Sequence, residues 1–385
     1  MVRLFFSAKS QPLAMNATAT QPVCVTGYLS NPSGIGEGGR LTGKALVALG
    51  YNVLAVDVSE LSDHGQTARS KIELLEPGPG TLVLHFNPDN LPGILTVMGR
   101  RRLRGKRIIG YWAWETLRIP GHWLPSFEEV DEIWVPSQFV AQAITPHTSK
   151  PVRVLPHPVA VASPGRSRRQ HFGIGNQFTV LVMFSMGSSF ERKNPIAAVR
   201  AFRMAFGETA DKLLLLKIGD SFRSPELLAE LQAEIDAAAN IRILTDDLSN
   251  EDRLDLIASA DVFLSLHRAE GFGLVMAEAM LAQIPVIATN WSGNLDFMDP
   301  STALLVGVRL IEARDANGTY GRGDSWAEPN VTEAAAHLGS LAANPRQFAP
   351  MRRAALEMVQ DRLGIATFGS AIAAALGPPP KRSGQ

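Results

Sequence analysis

Two glutamates, Glu270 and Glu278, stand eight residues apart in the segment HRAEGFGLVMAEAM, which runs from His267 to Met280. The flanking sequences DVFLSL and PVIAT predict strands, and apolar residues at helical spacing predict a helix between them. Glu278 would then project from an apolar helix face, where a buried carboxylate needs a partner. At a helical rise of about 1.5 Å per residue, eight residues place the two carboxylates on the order of 12 Å apart. That separation suits the two diols of a nucleoside diphosphate sugar, whereas in the alternative interpretation Glu270 caps the helix and Glu278 pairs with a buried arginine.

This segment resembles the E-x7-E motif of the fourth family of retaining glycosyltransferases, which adopt the B-type glycosyltransferase fold. The resemblance is clear from about Phe178 to Met298 and looser in the first half of the chain. It implies that Glu270 holds hydroxyls of the donor sugar and that Glu278 holds the ribose diol. It also implies that loop amides bind the diphosphate, because free N–H groups at a helix start attract anions. The resemblance further implies that the donor-binding residues of this loop and of the later loop NWSGNLDFM are Gly271, Phe272, Gly273, Leu274, Gly293 and Asn294.

The loop SMGSSFERKNP resembles the basic diphosphate-binding segment of the same family. Lys193 matches the family's lysine and Arg192 stands beside it. The resemblance implies that these two residues and Glu270 are catalytic, with the cations stabilising the leaving diphosphate. The arginine that usually precedes the lysine by about six residues is replaced by Gly187, which leaves Arg192 or Arg268 to supply its charge.

A glycine-rich stretch, SGIGEGGRLTGK, follows the first predicted strand. Gly34, Gly36 and Gly39 match the G-x-G-x-x-G pattern of dinucleotide-binding folds, and Asp57 falls where a ribose-binding acid is expected. That pattern places its first glycine at the strand end, whereas seven residues intervene here, which argues against a nicotinamide-dependent dehydrogenase. In the family that the chain resembles, these glycines form a loop facing the interdomain cleft. Gly38 and Gly39 are therefore expected to line the acceptor or the donor phosphate, with a plain turn before a helix as the alternative.

The predicted strand that ends in GYWAWETL departs from the family pattern. A histidine commonly stands at this strand end, close to the donor sugar, whereas Trp112 and Trp114 occupy the region here. Aromatic rings suit sugar stacking or a shaped acceptor pocket, and Glu115 is a polar replacement. His85, at the end of the preceding predicted strand, is either a further cleft residue or a structural histidine.

The alternation of predicted strands and helices indicates an α/β fold with a parallel sheet covered by helices on both faces. The resemblance implies two such Rossmann-like, doubly wound domains that face a cleft. A Pro-, Gly- and Ser-rich stretch at 162–177 marks the boundary between them. The expected organisation is a disordered N-terminus (1–20), an N-terminal acceptor-binding domain (21–165), a C-terminal nucleotide-sugar-binding domain (166–365), a helix that in such folds often crosses back to the first domain (366–376) and a disordered tail (377–385).

Charge and composition restrict the partners. The 385 residues include 37 basic and 37 acidic residues, a balance that gives no sign of a nucleic-acid partner. The single cysteine, Cys24, cannot form an intramolecular disulfide, and no apolar run approaches a signal-peptide core or a membrane span, so a cytoplasmic protein is expected. The basic run from Arg100 to Arg107 is either a solvated helix end or a peripheral contact with anionic lipid at the inner face of the membrane.

The resemblance implies a retaining glycosyltransferase that moves a sugar from a nucleotide diphosphate sugar to a hydroxyl acceptor. The acceptor would be a carbohydrate or lipid-linked molecule in bacterial polysaccharide or glycolipid assembly. No cofactor is expected, and because the chain contains no Asp-x-Asp pair to hold a divalent ion, metal-independent transfer is expected. A sugar-nucleotide epimerase on the same fold and a non-catalytic nucleotide-binding partner subunit are the alternatives. The residues leave the base, the sugar, the acceptor and the oligomeric state open.

Overall fold

The computed structural model describes residues 22–59, 75–316, 318–321 and 323–379. The expectations for residues 1–20 and for the tail beyond residue 379 lie outside these ranges. Within them, strands and helices alternate as predicted, and the α/β fold class is confirmed.

The first half of the chain forms a six-stranded parallel sheet in the order β2-β1-β3-β4-β5-β6. Its strands coincide with the short apolar runs that predict them, because a parallel sheet is covered on both faces. The strands are β1 (Val23–Gly27), β2 (Val53–Asp57), β3 (Gly80–His85), β4 (Lys106–Tyr111), β5 (Glu132–Val135) and β6 (Val152–Val154). The helices of this half are α1 (Gly34–Ala48), α2 (Leu91–Met98), α3 (Arg100–Leu103) and α4 (Gln138–Ile144).

The second half repeats this architecture with the strand order β12-β11-β10-β7-β8-β9. Its strands are β7 (Phe178–Ser185), β8 (Lys212–Gly219), β9 (Ile241–Leu244), β10 (Val262–Ser265), β11 (Val286–Thr289) and β12 (Leu304–Val306). Its helices are α5 (Phe190–Lys193), α6 (Pro195–Phe206), α7 (Pro225–Ile235), α8 (Asn250–Ala258), α9 (Leu274–Leu281), α10 (Val331–Ala343) and α11 (Ala349–Arg362). An antiparallel hairpin, β13 (Val308–Glu312) with β14 (Ser325–Pro329), was not predicted.

Local sequence decides how the helices near the cleft begin. The side chain of Ser33 caps α1 by accepting a hydrogen bond from the Gly36 amide, and Ser249 caps α8 in the same way, as predicted for that serine. Gly273 precedes α9 with a φ of +99° and, among the described residues, no side chain caps this helix. The first N–H groups of α9 therefore lack the side-chain partner that the other two helices have.

The last helix, α12 (Ile365–Leu376), packs on the first sheet although it follows the whole second sheet in sequence. Phe368 and Ile372 are buried in a cluster with Val23 and Val25 of β1. Tyr51 also donates a hydrogen bond to the carbonyl of Gly377 at 2.5 Å. The chain therefore returns to the half in which it started.

The chain passes between the two sheets twice, once after β6 and once before α12. At these passages the Ala160 amide donates to the Leu363 carbonyl at 3.1 Å. The two crossings consequently lie side by side.

Loops from the two halves also meet directly around the segment that precedes α9. The Ser137 hydroxyl donates to the Gly271 carbonyl at 2.6 Å, and the Gln138 amide donates to the Asp296 carboxylate at 2.7 Å. A Cβ added to Gly271 would lie 3.1 Å from the carbonyl oxygen of Trp114. The glutamate-bearing loop of the second half is thus fixed against the first half.

Candidate functional site

The basic pair Arg192 and Lys193 lies in α5, a single helical turn after β7. Ser189 caps this turn by accepting a hydrogen bond from the Arg192 amide at 3.3 Å. Asn194 ends the turn with a φ of 53°, a left-handed conformation that asparagine tolerates better than most residues, and α6 starts at Pro195. The short turn therefore holds both basic side chains at the carboxyl end of β7.

Glu270 is the centre of the site because both basic side chains contact it. The Lys193 ammonium donates to one carboxylate oxygen, and Arg192 Nη1 lies 3.5 Å from the other. Burial alone would raise the pKa of Glu270, but the charges of Lys193 and Arg192 lower the pKa to about 2. The carboxylate is therefore ionised throughout the neutral range and can only accept hydrogen bonds.

Arg192 connects this cluster to the first half of the chain. Its side chain is 4% exposed, Nη1 donates to the Ala269 carbonyl at 2.8 Å, and Nη2 lies 3.5 Å from Glu115. Burial would lower the pKa of Arg192, but Tyr320, Glu115 and Glu270 raise it above the ordinary value. The guanidinium stays charged, and its Nε atom has no hydrogen-bond partner among the described residues.

A cavity of about 480 Å³ opens beside Arg192 and is lined by both halves. Trp114 and Glu115 line it from the first half and Tyr320 from the hairpin loop of the second. The Tyr320 hydroxyl donates to Glu115 at 3.2 Å, and the rings of Trp114 and Tyr320 lie 5.3 Å apart. Aromatic surface with a few fixed polar groups, here including Asn87, is typical of a site for a small hydroxylated molecule.

The loop between Glu270 and α9 is tightly packed around its glycines. A Cβ on Gly293 would lie 2.2 Å from the Gly271 carbonyl oxygen. The Glu270 amide donates to the Ser292 hydroxyl at 2.8 Å, and the Gly293 amide donates back to the Glu270 carbonyl at 2.9 Å. The uncapped start of α9 after Gly273 is thereby held next to Glu270, and such a helix start can bind an anion.

Glu278 is 3% exposed in α9 and pairs with Arg253 of α8. Each carboxylate oxygen contacts one guanidinium nitrogen, with Nη2 donating to Oε1 at 2.8 Å. This pair matches the alternative interpretation of Glu278, although Glu270 contacts cations and does not cap a helix. Because α9 covers only Leu274–Leu281, the separation of about 12 Å expected from a continuous helical rise does not apply.

The glycine-rich stretch of the first half does not form a loop, contrary to expectation, because α1 already starts at Gly34. Gly38 and Gly39 lie in its second turn and are buried. A Cβ on Gly38 would lie 2.4 Å from the His157 ring, and one on Gly39 would lie 3.4 Å from the Cβ of His85. These two glycines therefore serve helix packing, because they let α1 approach two histidine side chains closely.

Of the two tryptophans expected at the cleft, Trp112 lies in the core instead. Its ring is fully buried and packs against Trp123 and Phe127, with centroids 6.4 and 5.0 Å away, because it fills the space under the segment that follows β4. Trp114 lines the cavity and donates its indole N–H to the Arg118 carbonyl at 2.7 Å.

His85 is also buried and does not line the cavity, in agreement with its structural alternative. Its ring stacks on Tyr111 at 4.3 Å, and Tyr111 stacks on His157 at 5.0 Å. Burial lowers the pKa of His85 well below its ordinary value and lowers the pKa of His157 to about 3, so both rings are neutral. The edge-on contact of His157 with Phe272, at 5.0 Å, joins this stack to the loop before α9.

Two other candidates are engaged elsewhere in the second half. The side chain of Asn294 is completely buried and donates to the Thr289 carbonyl at 3.1 Å, with its oxygen 3.2 Å from His267, so this side chain is engaged within the second half. Arg268 pairs with Glu328 of β14 at 2.5 Å, so its charge is used at the base of the hairpin. Arg192 and Arg268 were both expected to compensate for the missing arginine. Of these two residues, Arg192 is the one that contacts Glu270.

Sequence reasoning missed Arg253, Tyr320 and His157. A signal for Arg253 was present, because it stands three and four residues before Leu256 and Ile257 and thus shares their buried helix face. Tyr320 lies in a hairpin loop that no local sequence pattern predicted. His157 follows β6 in a short proline-flanked stretch that resembles an ordinary loop.

The basic run divides into exposed and engaged residues. Arg100, Arg101 and Arg104 are exposed, whereas Arg107 pairs with Glu132 and donates to a carbonyl of α12 at 2.7 Å. None of the helices in the described ranges has the length and apolar character needed to cross a membrane. In the same ranges, no three His, Cys, Asp or Glu side chains are grouped so that they could hold a metal ion.

Comparison with known sequences identifies relatives. Residues 137–350, more than half of the chain, match the family described as Family 4 Glycosyltransferase in conflict systems. Over 126 residues the chain is 32% identical to N-acetyl-alpha-D-glucosaminyl L-malate synthase of Bacillus anthracis, a match that covers 32% of this chain and 31% of that protein. The chain thus matches about a third of the length of this curated relative.

Comparison with solved structures establishes the fold. HepE of Anabaena, solved with UDP and glucose, is 15% identical, with a TM-score of 0.66 over 93% of this chain and 99% of that one. Sucrose-phosphate synthase from Thermosynechococcus elongatus is 14% identical, with a TM-score of 0.65 over 92% of this chain and 98% of that one. The two six-stranded parallel sheets are those of the B-type glycosyltransferase fold, as predicted.

Proposed function

This chain belongs to the family described as family 4 glycosyltransferase in conflict systems, and on that premise we propose that it is a retaining glycosyltransferase. It would transfer a sugar from a nucleoside diphosphate sugar to a hydroxyl acceptor. The observation that carries the proposal is the ionised Glu270, held by Lys193 and Arg192 beside the uncapped start of α9. This arrangement combines an acceptor for sugar hydroxyls with positive charge for a diphosphate.

The proposed reaction breaks the bond between the anomeric carbon and the diphosphate oxygen, so negative charge accumulates on the leaving group. Lys193 and the N–H groups at the start of α9 stabilise that charge because they are already in place before the bond breaks. Glu270 accepts hydrogen bonds from the sugar and directs its anomeric carbon toward the cavity. Its contact with Lys193 keeps the cation in position before the donor arrives.

The proposal includes transfer without a divalent metal. Positive charge at the diphosphate comes from Lys193 and Arg192, both of which contact Glu270. A helix start adds further hydrogen-bond donors for the same anion. The test is transfer activity after exhaustive EDTA treatment, and a loss of most activity that Mg²⁺ or Mn²⁺ restores would contradict this part of the proposal.

The cavity between Trp114, Glu115 and Tyr320 is the proposed acceptor site. Its rings offer stacking surfaces for a carbohydrate, and Glu115 offers an acceptor for a hydroxyl proton. An acceptor placed here would approach from the first half while the diphosphate is held by the second. Retention of configuration follows if the acceptor attacks from the face that the diphosphate leaves, as the family resemblance implies.

The relatives suggest where to begin the search for substrates. HepE is solved with UDP and glucose, and another structure of the same fold is a pneumococcal O-GlcNAc transferase with UDP and GlcNAc, 14% identical with a TM-score of 0.54. We therefore propose UDP sugars as the first donors to test and bacterial polysaccharide or glycolipid assembly as the setting. A cytoplasmic enzyme that touches anionic lipid through Arg100, Arg101 and Arg104 would co-sediment with acidic liposomes in a salt-sensitive manner.

The decisive experiment is a calorimetric screen of UDP, GDP, ADP and dTDP, followed by transfer assays with the corresponding sugars and a panel of glycan acceptors. A glycosyltransferase will bind one nucleoside diphosphate preferentially. When the corresponding nucleotide sugar and an acceptor are both present, it will release that nucleoside diphosphate as a product. Binding without transfer or donor hydrolysis would favour a non-catalytic subunit. Interconversion of the sugar without an acceptor would favour an epimerase.

A further inference from the structure

His122 and Asp89 form a hydrogen-bonded pair at the wall of the cavity that Arg192 also lines. The Nε2 atom of His122 lies 2.7 Å from a carboxylate oxygen of Asp89. Both side chains line this cavity from the first half, the half that the proposed function assigns to the acceptor. The pair therefore faces the space in which an acceptor hydroxyl would lie.

The two segments that carry the pair are joined to each other. Asp89 lies in the short turn after β3, and His122 lies in the 3₁₀ segment Gly121–Glu129, which follows β4. In that segment the Ser126 hydroxyl donates to the Pro88 carbonyl at 3.3 Å, and the tryptophan next to His122 is fully buried. The backbone therefore holds the pair in place, although both of its side chains are largely exposed.

Four other titratable side chains line the cavity, and each of them is already engaged. Asp89 accepts the hydrogen bond of His122. One oxygen of Glu115 accepts from the Tyr320 hydroxyl at 3.2 Å, and the other lies 3.5 Å from Arg192. The guanidinium of Arg192 is charged, and burial raises the pKa of Tyr320 well above its ordinary value, so neither can take up a proton.

The Nδ1 atom of His122 is the basic nitrogen that remains. An ionised carboxylate can only accept hydrogen bonds, so the ring donates to Asp89 through Nε2 and keeps its proton there. The neutral ring then has a lone pair on Nδ1. A carboxylate that fixes the tautomer of a histidine and stabilises the cation formed when it takes up a proton is the arrangement in which histidine serves as a base.

We propose that His122 is the general base of the transfer reaction and removes the proton from the acceptor hydroxyl. This inference rests on the proposed function, because it needs an acceptor in the cavity. The acceptor oxygen forms its bond to the anomeric carbon while the bond from that carbon to the diphosphate breaks, and the electron pair of the broken bond leaves with the diphosphate. The proton passes from the acceptor oxygen to Nδ1, and the imidazolium then loses it to water. Asp89 is a positioning residue that orients the ring.

The alternative proton acceptor is the leaving diphosphate itself. The two routes are distinguishable, because only the first depends on an imidazole in the cavity wall. Loss of that imidazole should slow transfer without weakening nucleotide binding, since His122 belongs to the half that does not hold the nucleotide. Because its side chain is largely exposed, a free imidazole molecule can reach the place that a smaller side chain leaves open.

The experiment measures transfer by the full chain, with UDP-glucose as the first donor and the glycan panel as acceptors, or with the nucleotide sugar that the screen selects. His122→Gln should lower kcat about a hundredfold or more, the contribution of a general base, while calorimetry gives an unchanged dissociation constant for UDP. Asp89→Asn should cause an intermediate decrease. His122→Ala should be as slow as His122→Gln, and added imidazole should restore part of its rate.

The matched control is His171→Gln. His171 is also a largely exposed histidine beside a carboxylate, 3.6 Å from Asp252, but it does not line the cavity, so this variant should keep the wild-type kcat. A wild-type kcat in His122→Gln overturns the inference, and so does a His122→Ala rate that imidazole does not raise or a loss of UDP affinity equal to the loss of kcat.

The failure of this inference is separable from that of the proposed function. If His122→Gln does not fold, Asp89→Asn decides, and a wild-type kcat in that variant overturns the inference. A wild type that transfers sugar while its His122 variants turn over normally overturns this inference alone. A wild type that neither binds a nucleoside diphosphate nor transfers sugar overturns the proposed function and this inference with it.

Discussion

The two glycine-rich segments of this chain, GIGEGG in the first half and EGFG in the second, contain similar residues but are used in opposite ways. The first is the start of a buried helix whose glycines let it approach His157 and His85. The second is a loop before α9 that ends in a left-handed glycine and carries an ionised carboxylate. Glycine therefore removes side-chain bulk in one half and, in the other, precedes a helix that has no side-chain cap. The comparison predicts that changes in the second segment alter chemistry and changes in the first alter stability.

The largest expected effect is that of Glu270→Gln on the transfer rate. The amide keeps the shape but loses the charge that orders Lys193 and Arg192, so we expect a decrease of about a hundredfold or more in kcat, comparable to the loss of one preorganised group. Steady-state transfer assays measure it, with Glu251→Gln, an exposed change in α8, as the control. Normal turnover in the Glu270 variant would show that the carboxylate of the second segment has no role in transfer.

The pH dependence of stability should isolate the same carboxylate. The pKa of Glu270 is lowered from 4.5 to about 2 by the folded structure, so its contribution is fully present above about pH 4.5 and is lost as the pH falls toward 2. A shift of this size corresponds to about 3 kcal/mol. Urea unfolding of the wild type and Glu270→Gln should show this gap at pH 7 and a gap about half as large near pH 3. A gap that does not change with pH would mean that the cations do not stabilise this carboxylate.

Lys193→Ala should weaken nucleoside diphosphate binding by about 1.5–3 kcal/mol, the value of a hydrogen bond to a charged group. Isothermal calorimetry measures the loss, and Lys44→Ala on the exposed face of α1 should have no effect. Equal affinity in the Lys193 variant and the parent would place the phosphate-binding cation elsewhere.

Gly38→Ala tests the first segment. The added methyl group would meet the His157 ring, so we expect the free energy of unfolding to fall by about 1–3 kcal/mol, as for other overpacked cores. Gly43→Ala in the same helix is the matched control, because its Cβ enters open space, and alanine should stabilise the helix there by up to about 1 kcal/mol. Denaturant titration of both variants measures the difference. If Gly38→Ala left the free energy of unfolding unchanged and reduced nucleotide affinity instead, the first segment would also contribute to binding, and the contrast between the two segments would be wrong.

The sequence predicted most where the residues of a single strand or helix indicate which of its faces are buried. Strands such as β7 and β8 were predictable because a strand buried on both faces consists mostly of apolar residues. The need of Glu278 for a partner followed from its position on an apolar helix face. Contacts between elements were harder to predict from the sequence. The identity of Arg253 as the partner depends on how α8 packs against α9, which no local spacing encodes.

The errors have related physical causes. Glycine has low intrinsic helix propensity, which favoured a loop at Gly34–Gly39, but packing of α1 on the histidine stack outweighs that preference. Trp112 and Trp114 are equally aromatic, and only the tertiary structure distinguishes the ring that fills the core from the ring that lines the cavity. The long-range contact of Tyr320 with Glu115 joins residues more than two hundred positions apart.

The side-by-side crossings at Ala160 and Leu363 have a mechanical consequence. Two rigid bodies joined at two well-separated points can rotate only about the line through them, whereas adjacent joints act as a single pivot. Because the two crossings lie side by side, a rotation of one half against the other would turn about them and would have to break the Ser137–Gly271 and Gln138–Asp296 hydrogen bonds.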